Sequence, residues 1–477
     1  MPHCDTLISN VQILDGTGGE PFYGSVAIGN GVIERIGEFS NYSAEQIIDA
    51  HGKVLAPGFI DTHTHDDLCA IGKEMLPKIS QGVTTVIVGN CGISAAPVKN
   101  NARLVPPLNL LGAADAFRYP SFRDYVAALH DQGSAVNVAA LVGHTSLRNE
   151  VLSKLDRAAS ASETAVMRAR LEESIEHGAL GLSTGLAYSA AHSAPTEEVL
   201  ALAEVLTGTT AVYATHVRTE SDGVLDAIDE AVRIGKHADV PVVISHLKCA
   251  GIKNWQRSAE LLARLDSEPE RLVGWDAYPY AASSTILDPT QVDERIEILI
   301  TWSSSHSELA GKKLAEIATR WGVSPLKAAE RLQPAGAIYH SMSEADVRAI
   351  LVHPRTMIGS DGLPNDEFPH PRLWGTFPRV LGHYSREQRL FPNTEAIRKM
   401  TSLPAERFGL KDRGILREGY AADLVLLDAA VVADVADFSD PMQPAIGIEA
   451  VWVNGILSYS NQVSTGKRAG RFLARQG

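Results

Sequence analysis

Eight short apolar runs, separated by stretches with helical periodicity, constrain the fold of this chain more than any other feature of its sequence. Apolar runs of this length are typical of buried parallel strands, and their alternation with helices indicates βα units. The runs are residues 58–65, 84–92, 137–144, 179–186, 212–217, 242–248, 273–280 and 356–362. Eight such units predict an α/β fold of the (β/α)₈ type, a TIM-like barrel.

The two ends of the chain have a different pattern. Segments such as GSVAIGNGVIERIG near the amino terminus and AIGIEAVWVNGILS near the carboxyl terminus alternate apolar and polar residues around Gly and Asn, as half-buried antiparallel strands do. We therefore expect a small β-sandwich built from both termini. Its amino-terminal part covers residues 1–57, its carboxyl-terminal part residues 412–477, and the barrel residues 58–411.

The connection between the seventh and eighth runs is far longer than a usual loop between strand and helix. We expect an insertion after strand seven at about residues 281–350, partly helical from Glu308 to Leu332. A segment of this length above a barrel strand is expected to form a lid or a small added unit.

Charge and composition exclude some classes of protein. A net charge of −14 disfavours a nucleic-acid partner, whose phosphates require a basic surface. No leader-like start and no long apolar run are found, so we expect a cytoplasmic protein without a membrane partner. Four scattered cysteines are too few for a disulfide framework. The sequence leaves the oligomeric state open.

Residue types that bind metal ions stand at the ends of five runs, where a barrel enzyme carries its reactive groups. They are His63 and His65 in the first run, Cys91 in the second, His216 in the fifth, His246 in the sixth and Asp361 in the eighth. The strand period of two puts His63 and His65 on one side, so both can reach a single ion. A lone histidine is commonly a core residue and Cys91 alone would be a buried thiol, but the whole set predicts a metal site.

Several motifs carry a resemblance to a known family. GFIDTHTHDD, the histidines of runs five and six, and GSDG resemble the amidohydrolase superfamily. Within it, GNCGISAAP, STGLAYSAAHS, THVRTE, ISHLKCAG, YPYAASST and GTFPRVLGHY resemble the D-aminoacylase (N-acyl-D-amino-acid deacylase) family over nearly the whole chain. The resemblance implies zinc-dependent hydrolysis of the amide bond of a small-molecule N-acyl-D-amino acid.

One departure from the wider superfamily concerns strand four, where many members carry a carboxylated lysine that bridges two metals. Here the run ends in Ser183-Thr184-Gly185, and the D-aminoacylase family similarly lacks the lysine. The resemblance implies one tight Zn²⁺ ion held by Cys91, His216 and His246. It also implies a second, weaker site that involves His63 and His65 and can share Cys91.

Asp361 is the candidate catalytic residue. A catalytic zinc keeps three protein ligands and one open position, and a nearby carboxylate can take a proton from water and return it to the leaving amine. The alternative is structural, with Asp361 as the cap of the following helix.

The substrate's α-carboxylate requires a cation and hydrogen-bond donors in a dehydrated pocket. The candidates are Lys248, two residues after His246, Tyr278 at the end of strand seven, and Arg379 in GTFPR. Arg295, in the loop above strand seven, is a candidate partner for an acidic side chain and points to N-acyl-D-glutamate or N-acyl-D-aspartate. The alternative for Arg295 is a solvated surface residue. His144, Tyr188 and His192 receive no role.

Three other functions remain open at this point. The first is a deacylase for neutral D-amino acids, and the second is another metal-dependent amidohydrolase, such as a cyclic amidase of the dihydropyrimidinase kind or a deaminase. The third is a catalytically dead scaffold of the same fold, which should have lost ligands.

Overall fold

The computed structural model describes residues 2–39, 42–99 and 104–476. The strands, in chain order, are β1 (His3–Ile13), β2 (Phe22–Gly29), β3 (Val32–Gly37), β4 (Ser43–Asp49), β5 (Val54–Pro57), β6 (Phe59–Asp61), β7 (Val83–Val88), β8 (Asn137–Ala140), β9 (Val142–Gly143), β10 (Gly181–Gly185), β11 (Val212–His216), β12 (Val242–Ile244), β13 (Val273–Ala277), β14 (Ser283–Ile286), β15 (Ile298–Ser303), β16 (Ala335–Tyr339), β17 (Thr356–Ile358), β18 (Leu424–Leu427), β19 (Ile448–Val453), β20 (Ile456–Ser460) and β21 (Val463–Ser464). The α-helices are α1 (Leu76–Ile79), α2 (Phe122–Gln132), α3 (His144–Val151), α4 (Ala161–Glu176), α5 (Ser189–His192), α6 (Thr196–Ala203), α7 (Val224–Ala238), α8 (Ser258–Asp266), α9 (Leu314–Trp321), α10 (Pro325–Leu332), α11 (Glu344–Val352), α12 (Arg372–Arg379), α13 (Asn393–Met400) and α14 (Ser402–Arg407). A π-helical segment, Val380–Glu387, continues α12.

Eight parallel strands form a closed ring when β8 and β9 are counted as one interrupted strand. β6, β7 and β8 pair in that order, as do β9, β10, β11, β12, β13 and β17, and only Leu141 separates β8 from β9. The first and last strands meet where the Asp361 N–H donates to the His63 carbonyl oxygen (2.7 Å) and the His65 N–H donates to the Gly362 carbonyl oxygen (3.2 Å). Each strand overlaps one of the eight predicted runs, so the (β/α)₈ prediction is confirmed.

The strands are buried on both faces. Alternate strand residues such as Ile87, Val243 and Met357 form one cluster, which joins strands from opposite sides of the ring and therefore fills its interior. The intervening residues, such as Val86 and Val242, pack outward against the surrounding helices. This two-sided burial explains why the runs read as continuous apolar sequence without alternation.

The insertion after the seventh barrel strand contains more strand than the sequence predicts. β14, β15 and β16 form an antiparallel sheet in the order β14-β16-β15, and α9 and α10 pack on it around residues such as Ile300, Ile317 and Leu332. The two helices lie within the segment expected to be helical. α11 packs on α8 and leads into β17, so it belongs to the barrel, although the expected insertion reached residue 350.

The terminal strands join in one nine-stranded sheet. Its order is β21-β20-β19-β18-β5-β1-β2-β3, with β4 paired to β1, and β5 and β18 connect the two ends of the chain. The other edge of the sheet, at β3, is hydrogen-bonded to the segment that precedes β18. The Ile33 N–H donates to the Tyr420 carbonyl oxygen (2.8 Å), and the Ala422 N–H donates to the Gly31 carbonyl oxygen (3.0 Å). Trp452 lies in the core that this curved sheet encloses.

The last described residues leave the terminal sheet and lie along the barrel. The Val138 N–H donates to the Arg471 carbonyl oxygen (2.9 Å), and the Leu473 N–H donates to the Val138 carbonyl oxygen (2.8 Å). The expected assignment of residues 412–477 to the sandwich is therefore corrected for this tail, which bonds to the edge of β8. Within the described ranges, no helix has the length and apolar composition that a membrane span needs.

Candidate metal centre

Six side chains of the predicted metal-binding types meet at the carboxyl ends of the barrel strands. His216 is the last residue of β11, whereas the other five lie in the turns that follow β6, β7, β12 and β17. The expectation that His63 and His65 extend a strand is corrected, because β6 ends at Asp61. The six side chains nevertheless converge, and they form two overlapping groups. These are His63, His65, Cys91 and Asp361, and Cys91, His216 and His246.

The Cys91 sulfur is the shared atom of the two groups. Its Sγ lies 3.2 Å from His63 Nε2, 3.3 Å from His246 Nε2 and 3.7 Å from His216 Nδ1. Tetrahedral zinc with Zn–S and Zn–N bonds of ordinary length separates sulfur from nitrogen by about 3.6 Å. The distances from Cys91 to His216 and His246 therefore fit a common metal ion.

The electrostatics of Cys91 favour a metal ligand. Burial by itself would raise the pKa of the thiol, but the neighbouring His63 and His246 imidazoles and the hydrogen bonds from His216 and His246 hold that pKa well below its usual value. The thiolate is the form that binds metals. The group of a thiolate and imidazoles is typical of sites for zinc and similar transition-metal ions.

Backbone strain is concentrated in the same turns. Cys91, His246 and Asp361 have φ angles of 52°, 37° and 48°, in the left-handed region that few residues other than glycine adopt. Such strain costs of order 1–3 kcal/mol per residue and persists where the surrounding structure enforces it. The Asp361 N–H bond to the His63 carbonyl and the His246 N–H bond to Asp276 Oδ1 (2.9 Å) provide that support.

The end of β10 holds the Cys91 turn in place. The Ser183 hydroxyl donates to the Gly89 carbonyl oxygen (2.5 Å) and accepts from the Gly92 N–H (3.1 Å). A Cβ atom on Gly185 would lie 2.1 Å from the Cys91 carbonyl oxygen, so no side chain fits there. This close packing requires glycine at position 185.

Asp361, which belongs to the first of these two groups, also contacts a buried arginine. Its Oδ1 lies 3.2 Å from His65 Nε2 and 3.5 Å from His63 Nε2, and its Oδ2 lies 2.9 Å from an Arg372 nitrogen. Burial would raise the pKa of this carboxyl, but the charges of Arg372 and His63 and the hydrogen bond from His65 keep it well below its usual value. Asp361 is therefore an ionised acceptor. The helix-cap alternative is not supported, because α12 begins eleven residues later, at Arg372.

Two of the predicted substrate residues lie beside the metal-binding group. Lys248 is buried, and its Nζ lies 5.6 Å from the centre of the Tyr278 ring, which is also buried. Arg372 stacks on the same ring, with its Cζ 4.6 Å from the ring centre. Burial raises the pKa of Tyr278 to about 12, so the phenol keeps its proton. Tyr278 thus contacts two buried cations, and its hydroxyl donates to Met342 Sδ (3.7 Å).

Arg379 and Arg295 lie elsewhere. The Arg379 guanidinium donates to the Pro279 carbonyl oxygen (2.8 Å) and forms an ion pair with Asp434 (3.0 Å). It ends the helix that Arg372 begins, and seven residues of helix separate the two positions by about 10 Å. The Arg295 side chain is 58% exposed and binds Asp293, two residues earlier (2.5 Å). Arg379, the expected carboxylate partner, therefore pairs with Asp434, whereas Arg372 contacts Asp361, and Arg295 has the solvated arrangement in this structure.

Three charged residues beside the cluster were missed by the sequence reasoning. They are Arg372, Glu220 and Asp276. Asp276 lies within 3.4 Å of His63 Nδ1, and Glu220 Oε1 lies 2.9 Å from His246 Nδ1. Glu220 is in the quoted motif THVRTE and Asp276 interrupts the apolar strand β13, so a search for charged residues in apolar runs and strand-end motifs would have found both.

The fold and the buried thiolate-imidazole-carboxylate cluster at the barrel's carboxyl end define the class of metal-dependent barrel hydrolases. The amidohydrolase family profile matches residues 46–297 and 304–459. The chain belongs to the amidohydrolase family.

Three relatives, all from Alcaligenes xylosoxydans xylosoxydans, are similar over nearly their whole length. A D-aminoacylase is 47% identical over 473 residues, which are 99% of this chain and 98% of the relative. An N-acyl-D-aspartate deacylase is 46% identical (98% and 95% covered), and an N-acyl-D-glutamate deacylase is 45% identical (99% and 96% covered). The three identities are nearly equal, so they do not indicate which relative's substrate this chain would share.

Solved structures give the same family. A crystal structure of D-aminoacylase has a TM-score of 0.97 and 47% identity, with 99% of this chain and all of that chain covered. An N-acyl-D-glutamate deacylase from Bordetella bronchiseptica, complexed with zinc and a phosphonate inhibitor, has a TM-score of 0.95 and 44% identity, with the same coverage. A further D-aminoacylase structure, with a TM-score of 0.97, concerns a binuclear metal centre with one-metal activation and second-metal attenuation. The present chain is accordingly a metal-dependent amidohydrolase.

Proposed function

We propose that this protein hydrolyses the amide bond of N-acyl-D-amino acids with the help of zinc, giving a carboxylate and the free D-amino acid. The observation that carries the proposal is the pair of buried cations, Lys248 and Arg372, that contact Tyr278 next to the Cys91-centred cluster. Arg372 is fully buried, and within the described part of the chain its Nε and one Nη have no hydrogen-bond partner. Such unsatisfied donors are costly unless a ligand completes them, and a planar carboxylate suits a guanidinium.

The proposed metal arrangement has one tight Zn²⁺ ion, held by Cys91, His216 and His246. A second, weaker site uses His63 and His65 and shares Cys91, and Asp361 is close enough to both histidines to contribute there. When bound, zinc supplies a Lewis acid that polarises a carbonyl and lowers the pKa of water.

The proposed role of Asp361 is to move a proton. As an ionised carboxylate it accepts a proton from the attacking water and passes it to the amide nitrogen, which leaves only when protonated. Arg372 keeps Asp361 ionised through its 2.9 Å contact and presents its remaining donors to the substrate's α-carboxylate. Lys248 and the Tyr278 hydroxyl complete the binding of that carboxylate.

The choice of D stereochemistry is supported by the family resemblance and by the three deacylase relatives. The preference for an acidic side chain, above all D-glutamate, depends on Arg295 and stays a prediction, because an acidic substrate would have to displace Asp293 from it. The deacylase for neutral side chains is the direct alternative. The cyclic-amidase alternative is disfavoured because the run of β10 ends in Ser183-Thr184-Gly185 and carries no bridging lysine.

One substrate panel tests the proposal. Release of free amino acid is measured from N-acetyl-D-Glu, N-acetyl-D-Asp, N-acetyl-D-Leu and N-acetyl-L-Glu, alongside ring opening of dihydrouracil, with and without a chelator. We expect chelator-sensitive release from the D substrates only. Ring opening without amino-acid release, or release from the L substrate alone, would overturn the proposal.

The Arg295→Ala variant tests the side-chain preference in the same panel. A selective loss of activity on N-acetyl-D-Glu is expected if Arg295 binds an acidic side chain. Equal kinetics of the variant and the native protein on that substrate would remove D-glutamate specificity and leave the broader substrate class in place.

A further inference from the structure

Glu220 occupies the space behind the two histidines of the tight site. It lies four residues after His216, in the connection between β11 and α7, and its side chain is only 17% exposed. Its Oε1 lies 2.9 Å from His246 Nδ1, and its Oε2 lies 3.8 Å from His216 Nε2. The same Oε1 accepts from Lys248 Nζ at 2.5 Å. One carboxylate thus faces the outer nitrogen of both imidazoles.

The proton position on each histidine explains why a carboxylate is needed there. His246 directs Nε2 and His216 directs Nδ1 towards the Cys91 sulfur. A neutral imidazole has one N–H, so a histidine that offers one nitrogen to a metal carries its proton on the other. The outward N–H of His246 must then be Nδ1–H, and that of His216 must be Nε2–H.

The neighbouring lysine cannot accept either of these protons. Lys248 Nζ lies 2.7 Å from His246 Nδ1, but a protonated lysine is only a donor. If Lys248 donated to Nδ1, the proton of His246 would have to sit on Nε2, the nitrogen that faces Cys91. An acceptor at Glu220 removes this conflict, because it takes the bonds of both Nδ1–H and Lys248.

We infer that Glu220 is a positioning residue whose single carboxylate fixes the proton of His246 by a hydrogen bond and favours an outward Nε2–H on His216 by its nearby charge, and so holds both histidines ready for the metal. The inference rests on the proposed zinc site. Lys248 acts as the counter-ion of Glu220, with its Nζ 2.5 Å from the same Oε1. Outer carboxylates of this kind typically contribute 10–100-fold to metal affinity.

Glu220→Gln is the direct test, because it keeps the shape of the side chain but removes its charge and replaces one acceptor oxygen with a donor. Zn²⁺ affinity is measured by competition with a chelator of known affinity. We expect affinity to fall 10–100-fold, and the visible spectrum of the Co²⁺-substituted protein to show a weaker thiolate band. The matched control is Glu268→Gln, another buried glutamate that binds Lys236 and Arg264 away from the cluster.

We expect Glu220→Gln to lose Zn²⁺ affinity and Glu268→Gln to keep the affinity of the native protein. An affinity of Glu220→Gln within about threefold of the native value would overturn the inference, since the 10–100-fold effect would be absent. Should Glu220→Gln fail to fold, nitrogen NMR of the native protein, freed of metal and labelled at histidine, decides the matter, because without the ion only the protein sets the proton positions. Nδ1–H on His246 together with Nε2–H on His216 supports the inference, and any other pair of proton positions overturns it.

Cys91→Ala in the same affinity assay separates this inference from the proposed function. If Cys91→Ala binds zinc as tightly as the native protein, the proposed metal site itself fails. If Cys91→Ala loses zinc while Glu220→Gln keeps it, only the role of Glu220 fails.

Discussion

Arg372 illustrates how one residue can combine two tasks at the site. Its guanidinium holds Asp361 in the ionised form, donates to the Ser284 carbonyl oxygen (3.0 Å) in β14, and stacks on Tyr278. The remaining donors are buried without a partner in the described part of the chain. Asp361 already balances the charge, so the two unpaired donors are the feature that favours the proposed binding of the substrate's carboxylate.

We predict that Arg372→Lys raises KM for N-acetyl-D-amino acids by about 10–100-fold, because a hydrogen bond to a charged group contributes about 1.5–3 kcal/mol. Lysine keeps the charge but has no planar fork to bind Asp361 and a carboxylate together. Steady-state kinetics measure the effect.

Arg379→Lys is the control for this prediction, since Arg379 lies on the same helix but binds Asp434. A large rise in KM for Arg379→Lys with none for Arg372→Lys would restore the assignment expected from the sequence.

At the scale of elements, buried ion clusters fasten the strand ends that carry the ligands. Lys78, just after the start of α1, binds Asp61 at the end of β6 (2.8 Å), Asp66 (3.1 Å) and the Ser360 hydroxyl oxygen (2.8 Å). All four side chains are buried. The cluster thus joins the first and last strands of the ring, directly below the turns that hold His63, His65 and Asp361.

Lys78→Met is expected to lower the free energy of unfolding by about 3–5 kcal/mol, because it leaves two buried carboxylates without a counter-charge. Denaturant unfolding measures the loss. The double variant Lys78→Met/Asp61→Asn should recover part of it, since one unpaired carboxylate is then removed. A single variant as stable as the native protein would show that the cluster does not stabilise the closure.

A second cluster connects α3 to α6. Glu198 lies 2.9 Å from His144 Nε2 and 2.5 Å from an Arg148 nitrogen. Burial would raise the pKa of Glu198, but the hydrogen bond from His144, its charge and the bond from Arg148 lower it to about 2. His144, which received no role from the sequence, therefore has a structural partner here.

Because the folded-state pKa of Glu198 is depressed, its contribution to stability is present above its usual pKa of about 4.5 and is lost as the pH falls towards about 2. We predict that Glu198→Gln is less stable than the native protein at pH 6, and that the difference shrinks between pH 4.5 and 2. Urea midpoints at several pH values measure this. Glu197→Gln, at the exposed neighbouring position, is the control. The prediction would be contradicted if the urea midpoints of the native protein, Glu198→Gln and Glu197→Gln changed equally as the pH falls.

At the scale of the whole molecule, the two chain ends hold the barrel from outside. β5 and β18 join the terminal sheet, while residues near Arg471 and Leu473 bond to β8. The proposed metal ligands come from four separate turns and from the end of β11, so metal binding would connect parts of the chain that are distant in sequence. An ion that binds only the folded state must stabilise it.

We therefore expect removal of the metal with a chelator to lower Tm, and re-addition of zinc to restore it. A ligand at a thousandfold excess over Kd adds about 4 kcal/mol to the free energy of unfolding. Differential scanning calorimetry with and without chelator measures the change. In Cys91→Ala the chelator should have little further effect, and a full shift in that variant would contradict the proposed ligand set.

The sequence by itself determined the barrel, its terminal strands and the types of residue that meet at its mouth. Each βα unit is local, so buried runs and their closing residues can be read along the chain, and Cys91, His216, His246 and Asp361 follow from that regular repeat. The resemblance to a known family added the substrate class.

Only the tertiary structure decided which cations face the cluster. Arg372 and Arg379 lie on one helix, and nothing local distinguishes them; the path of the chain after β17 brings the first to Asp361 and leaves the second with Asp434. Glu220 can be found in the motif THVRTE, but its contact with His246 Nδ1 exists only because β11 and β12 lie side by side. A residue's partners across the barrel depend on contacts that are distant in sequence, and the periodicity of a single chain does not encode them.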